Sequence, residues 1–425
     1  MFVGRVGRVL LFACVAAVGC AGRNSKRVTP LPPNVTPDEV FSGPAPTPVA
    51  AEFAADRAPT TALKPGAKYD FLVLSGIGSR SLYCYGVLCG WAESGTMPEF
   101  QVVTGVGGGA YGAIAVFAGR EYLADLRRIW LAFDQRKLLH GDAWDAKRFP
   151  HPLGLGTPSV ATTTKIRQQT LTVLTPEYFA KVAAEHAKGR RLYVGTTNVD
   201  TQRFVAWDMG AIASEGTAAS RKLFEDVLVA SAAVPPLLDP SRIAITIDGK
   251  RYEEMHLDGG VTRGLFWQPP SDWAGEAADQ SLAGARVHVV AGNQLYNKAD
   301  VTKPKLLDVT LRSMKAMLLA IHRADLARLY SACQRRDMSL RWTAIPAAYE
   351  PIFPTDVFDP PKTAALFRDG YTRGFDGTAW TDRPPEREAS EDRPRRGVTL
   401  TTGQPGCSSN SSGAFRNTVA PVSDH

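Results

Sequence analysis

Between residues 69 and 375 the apolar positions fall into two alternating patterns. Runs dominated by apolar and β-branched residues predict strands at 70–75, 100–104 and 287–291, and further strands are predicted at 191–198 and 340–345. Apolar residues returning every three or four positions predict helices between them. The first carries Leu82, Tyr85, Leu88, Cys89 and Trp91 and is closed by Gly95. A long one carries Ile114, Ala115, Phe117, Ala118, Leu123, Leu126, Ile129 and Trp130. Others are predicted over 175–187, with Pro176 suited to a first turn, and over 222–230, 306–330 and 362–373.

Two hairpins interrupt the alternation. Residues 202–208 mate with 191–198 through a turn at Asp200-Thr201. Residues 243–247, with isoleucine at every second position, mate with 250–256 through Asp248-Gly249 and deliver Leu257-Asp258-Gly259-Gly260-Val261. Residues 133–158 read as loops and short helices, and 159–166 show no defined pattern. His140, His186 and His322 read as surface or helix-face residues, and His256 alternates with Asp258 along its strand. Strands separated by helices predict a single α/β domain with a central, mostly parallel sheet between helical layers. No internal repeat is visible.

The ends carry a different pattern. Arg5 and Arg8 precede an apolar run, Val9 to Val18, too short for a comfortable membrane span. It ends in Ala16-Ala17-Val18-Gly19-Cys20, which resembles a bacterial lipobox. Residues 1–19 are then a signal peptide and Cys20 the lipidated first residue. Ala21 after it resembles the pattern sorted to an outer membrane; the alternative is an ordinary secretory signal. The expected location is the bacterial cell envelope, held by lipid, or else secreted. Residues 20–68, rich in Pro, Ala and Thr, predict an extended linker. The domain is expected over 69–382, with a charged and then Ser/Gly-rich tail over 383–425.

Composition narrows the chemistry. At 425 residues and 44% hydrophobic content the chain can bury a large core, and a formal charge of +7 without long Lys/Arg blocks argues against a nucleic-acid partner. Among six cysteines, Cys14 leaves with the signal, Cys84 and Cys89 read as core, and Cys333 and Cys407 are isolated. No spacing suggests a disulfide framework or a zinc site, so neither metal nor cofactor is expected.

The candidate chemistry centres on Gly105-Val106-Gly107-Gly108-Gly109, where a strand turns into a helix. Gly105-x-Gly107-x-x-Ala110 is formally a dinucleotide fingerprint, but the acidic residue expected about twenty positions on is missing. The turn also has the layout of a nucleophile elbow, Gly-x-Ser-x-Gly, with Gly107 where the serine belongs.

Three pieces in order resemble the patatin-like phospholipases: Leu74-Ser75-Gly76-Ile77-Gly78-Ser79-Arg80, the Gly105–Gly109 turn, and Asp258-Gly259-Gly260. Val194-Gly195-Thr196-Thr197-Asn198, Trp207-Asp208-Met209-Gly210 and Ala230-Ser231-Ala232-Ala233-Val234-Pro235 extend the match over roughly 69–373. The resemblance implies a three-layer α/β/α fold and a serine–aspartate dyad that hydrolyses acyl esters of lipids. Asp258 takes the place of the dyad aspartate. Gly76, Ile77, Gly78 and Arg80 take that of the oxyanion loop, where Ile77 and Ser81 replace two family glycines. Gly105 and Gly109 frame the elbow. Loss of the nucleophile removes most catalysis, so the expectation is a lipid- or partner-binding relative that reaches the membrane through Cys20, its protein partner unknown. The alternative is an active hydrolase with a displaced nucleophile, Ser79 or Ser81, working with Asp258; Ser75 lies on the same loop.

Overall fold

The computed structural model describes residues 64, 67–132, 163–235, 237–247, 250–267, 269, 280–296, 301–346, 349 and 360–383. The leader, Cys20, the linker to residue 63, residues 133–158 and the tail beyond 383 lie outside them.

Among the described residues eight strands form one sheet in the order β5 (Ser241–Ile247), β6 (Lys250–Asp258), β3 (Arg191–Asn198), β2 (Val102–Gly107), β1 (Asp70–Gly76), β7 (Arg286–Gly292) and β8 (Ser339–Ala344), with β4 (Arg203–Asp208) also paired to β3. The five strands β3, β2, β1, β7 and β8 run parallel; β4, β6 and β5 are joined antiparallel. Every residue of β1, β2 and β3 is buried, as parallel strands covered on both faces require.

The two faces hold separate cores. Leu72, Leu74 and Val103 point into one with α1 (Ser81–Glu93), α2 (Gly108–Ala118), α3 (Tyr122–Ala132), α5 (Pro176–Ala187) and α7 (Ala218–Ser231). Phe71, Val73, Val102, Val287 and Val289 point into the other, closed by Leu326, Leu329 and Cys333 of α8 (Leu306–Arg335). The architecture is the three-layer α/β/α sandwich with a mostly parallel sheet. Cys84, Cys89 and Cys333 are buried free thiols.

Some boundaries differ from the sequence reading. The long helix after the glycine turn is two helices, α2 and α3, parted at Gly119, whose φ of 148° no helix accommodates. α4 (Thr164–Val173) starts within the stretch that showed no pattern. α6 (Met209–Ser214) is a short helix started by Asp208, whose side chain accepts from Ala211 N. α7 begins four residues early because Thr217 and Ser220 form a reciprocal capping box. The last helix, α9 (Pro360–Phe375), packs on α1 through glycine faces. A Cβ on Gly86 would stand 2.2 Å from Phe367 O, and one on Gly370 would stand 2.4 Å from Tyr83 O.

Candidate functional site

Three central strands end level with one another: Gly76 pairs with Gly107 on one side and with Gly292 on the other. At this edge β2 turns into α2. Gly107 is the residue before the first helical turn and has φ 62° and ψ −135°. That positive φ is cheap for glycine and strained for any other residue. The neighbouring glycines serve close packing. A Cβ on Gly105 would stand 2.6 Å from Ala110 Cα, and one on Gly109 would stand 2.7 Å from the backbone of Leu74 and Ser75. The first turn of α2 therefore lies directly against β1.

The turn is tied down from three sides. Gly107 N donates to Ser231 Oγ at 3.0 Å, and Ser231 Oγ donates to Gly195 O at 2.8 Å, which links the elbow to α7 and β3. Tyr85 Oη, on α1, donates to Gly108 O at 2.6 Å. Ser81 Oγ lies against the elbow, 1.9 Å from where a Cβ on Gly108 would stand.

Asp258 arrives at the same place from β6. It opens a short 3-10 turn, Gly259–Val261, and its Oδ1 accepts from Gly260 N at 2.8 Å. Asp258 N donates to Ala233 O at 3.1 Å, and Thr197 Oγ1 donates to Asp258 O at 3.0 Å. A Cβ on Gly107 would stand 3.4 Å from Asp258 Oδ1. Residues 151 positions apart in the chain thus meet. The same Cβ would stand only 2.2 Å from Gly76 O. The Gly76 carbonyl occupies the space a side chain at 107 would fill.

Burial raises the Asp258 carboxyl to about 7, and the single backbone bond from Gly260 offsets this only in part. Such a group sits poised between acid and base at neutral pH. Its neighbour in alternation, His256, is wholly buried and engages Thr196 Oγ1 and Glu254 Oε2, each at 3.0 Å, rather than Asp258.

On the loop after β1, Ile77 is half-buried and Gly78 is exposed, so the crest of the site reaches solvent there. Gly78 has φ 53°. Residues Gly78–Arg80 form one 3-10 turn. Ser79 and Ser81 are buried, and neither caps α1: the capping position is Arg80, with no side-chain cap bond. Arg80 is buried and donates Nη1 to Asn293 Oδ1 at 2.8 Å, and burial lowers its guanidinium to about 10, which leaves it charged at neutral pH.

Two histidines depart from the sequence reading. His186 is buried against Gly210, and its Nδ1 lies 3.7 Å from Asp208 Oδ1. His322 is wholly buried beneath the site. Its ring meets Ser75 Oγ at 2.7 Å and Leu318 O at 2.8 Å, and it packs on Gly264. A helix-face period could not reveal this, because its partner lies 247 residues earlier. Ser231 and Asn293 also contribute, although local pattern assigns neither a role, because their partners Gly107 and Arg80 lie far away in the chain.

Among the described residues no group of three His, Cys, Asp or Glu side chains is placed to hold a metal ion, and no helix is long and apolar enough to cross a membrane.

The family model described as patatin-like phospholipase matches residues 72–269. No curated protein matches the sequence. Among solved structures, VipD from Legionella pneumophila is 12% identical over 78% of this chain and 73% of its own, with a TM-score of 0.34. The type III effector protein ExoU is 10% identical, with a TM-score of 0.30, over 74% of this chain and 53% of its own. A structure of ExoU in complex with SpcU, from the type III secretion system of Pseudomonas aeruginosa, gives 11% identity and a TM-score of 0.31. The chain spans about half the length of ExoU.

Proposed function

Residues 72–269 form a patatin-like phospholipase domain, and on that premise we propose that the chain is a catalytically impaired member that binds a lipid or acyl-ester group, or a partner, through the old ester cleft. One observation carries this reading. At Gly107 there is no side chain to attack a carbonyl, and the Gly76 carbonyl lies 2.2 Å from where a Cβ would stand. An acyl-enzyme needs a nucleophile within reach of its base. Asp258 stands in place as that base but has no hydroxyl at 107 to deprotonate. Gly78 brings loop backbone to solvent, and the charged guanidinium of Arg80 lies buried behind it on Asn293, a setting suited to an ester or phosphate group. Lipidation at Cys20 would hold the domain at a bacterial envelope membrane, by multiple acyl chains rather than a spanning helix.

The purified chain is tested with a fluorophosphonate probe and a short-chain ester. Neither labelling nor turnover is expected, while binding of a fluorescent fatty-acyl ligand is. The contrary reading, a displaced nucleophile, has Ser81 in its favour, since its Oγ lies against the elbow. Labelling that disappears in Ser81→Ala or Ser79→Ala would overturn the impaired reading. Palmitate labelling that is lost in Cys20→Ala tests the anchor.

A further inference from the structure

The helix α8 is built in two unlike halves. It connects the parallel strands β7 and β8, so it runs back against their direction and begins at the end of the sheet that carries the site. His322 fixes its level there by meeting Ser75, one residue before the end of β1. Leu306 lies sixteen residues earlier, so the start of the helix stands up to about 24 Å beyond that level at 1.5 Å per residue. The helix also touches the 259–261 turn below Asp258.

From His322 onward the inner positions are buried: His322, Asp325, Leu326, Leu329 and Cys333. Outward positions in this half include Arg328, Gln334 and Arg335, as a solvated helix face should. The overhanging half is different. Its exposed side chains, among those described, are Val309, Thr310, Ser313, Ala316, Met317 and Ala320, with no charge over three turns. Met317 is 58% exposed and Val309 46% exposed, and Val301 just before the helix is 90% exposed. Around this uncharged face the exposed Lys303 and Lys305 and the half-buried Arg312 stand against a single half-buried carboxylate, Asp308, whereas Lys315 buries its Nζ and Arg323 donates to Leu295 O at 3.0 Å.

We propose that residues 301–321 form a docking surface for an anionic phospholipid bilayer. An apolar helix face with cationic flanks lies in the headgroup plane of such a bilayer, held by buried apolar area and by attraction to anionic lipid. The excess of positive charge selects an anionic surface over a zwitterionic one. The overhang places that surface beside the mouth of the site, and the tether from Cys20 is long enough to allow it. About 48 residues of Pro/Ala-rich chain precede β1 and would span roughly 40 Å even as a flexible coil. This deepens the lipid-binding reading of the cleft and rests on it only for the position of the surface.

The test uses the full chain carrying Cys20→Ala, so that acylation does not drive sedimentation, and vesicles of phosphatidylcholine with or without phosphatidylglycerol. The protein is expected to sediment with the phosphatidylglycerol vesicles and to stay in solution with phosphatidylcholine alone. Lys303→Ala with Lys305→Ala is expected to weaken binding roughly 25-fold, about fivefold per lysine, and Val309→Asp with Met317→Asp to abolish it. Leu171→Asp, at another exposed apolar position, leaves it unchanged. Absence of binding by the parent chain, or binding indifferent to both double substitutions, overturns the proposal. A loss of self-association in the Val309/Met317 variant without vesicle binding by the parent makes the face a contact between copies and also overturns it. The fatty-acyl ligand assay, run below the ligand's aggregation threshold, separates the two ideas. Retained ligand binding with no vesicle binding removes the surface and keeps the cleft.

Discussion

Two regions of this domain are rich in glycine, and the glycines do different work. At the elbow, Gly107 has a positive φ, and the Gly76 carbonyl and Asp258 Oδ1 both lie close to where its Cβ would stand. At the α1–α9 seam, Gly86, Gly90, Gly370 and Gly374 sit in ordinary helices and their missing side chains let two backbones touch. The seam is packed for stability. The elbow instead combines a turn that only glycine accepts cheaply with a buried carboxyl that costs stability once ionised. Features that cost stability are what functional sites keep.

Substitutions can sharpen that contrast. The largest expected effect is at Asp258. Its carboxyl titrates at about 7 in the folded chain against about 3.9 unfolded. The folded state therefore binds the proton more tightly, and stability falls as pH rises from about 4 to about 7, then levels off. Asp258→Asn should remove this slope and raise stability at pH 8 by up to about 4 kcal/mol, at 1.36 kcal/mol per unit, as measured by urea unfolding across pH. A variant that keeps the slope would place the strain elsewhere.

Next is the seam. A Cβ on Gly90 would stand 2.0 Å from Tyr371 O. Gly90→Ala should cost about 3 kcal/mol, at the upper end of overpacking in a core, with binding of the fatty-acyl ligand retained once the domain is folded. A loss of less than half that would mean α9 slides easily.

Gly107→Ala combines a strained φ with the approach to Gly76 O and should cost about 2 kcal/mol. The companion Gly107→Ser is read by activity. Ester hydrolysis is expected to stay absent unless the Gly76–Arg80 loop shifts, because backbone now occupies the serine's space. A prompt gain of fluorophosphonate labelling at residue 107 would show that the loop yields freely. The smallest effect is at Ser231, which bridges Gly107 N and Gly195 O. Ser231→Ala should cost about 1 kcal/mol and show faster amide exchange at Gly107.

Much of the site was legible in the chain because its parts are local. A strand, a glycine turn and a helix start are set by neighbouring residues, so Gly105 to Gly109, the loop around Gly78 and the hairpin leading to Asp258 could be read directly. What could not be read depends on residues far apart. His322 looked like one more helix-face residue until the fold set it on Ser75. Ser79 and Ser81 read as neighbours on one loop, but the fold buries both and sets only the Ser81 Oγ against the elbow glycines. The break at Gly119 was hidden because apolar periodicity continues through it while the backbone does not.

The sequence by itself determined most of the alternation of strands and helices, the absence of a serine at 107 and the family pattern around it, since each follows from residue types and short spacings. Only the tertiary structure decided that the Gly76 carbonyl stands where a side chain at 107 would go, that burial raises the Asp258 carboxyl to about 7, and that the first half of α8 carries an uncharged face. Distance, burial and exposure are properties of chain segments brought together, and no local pattern encodes them.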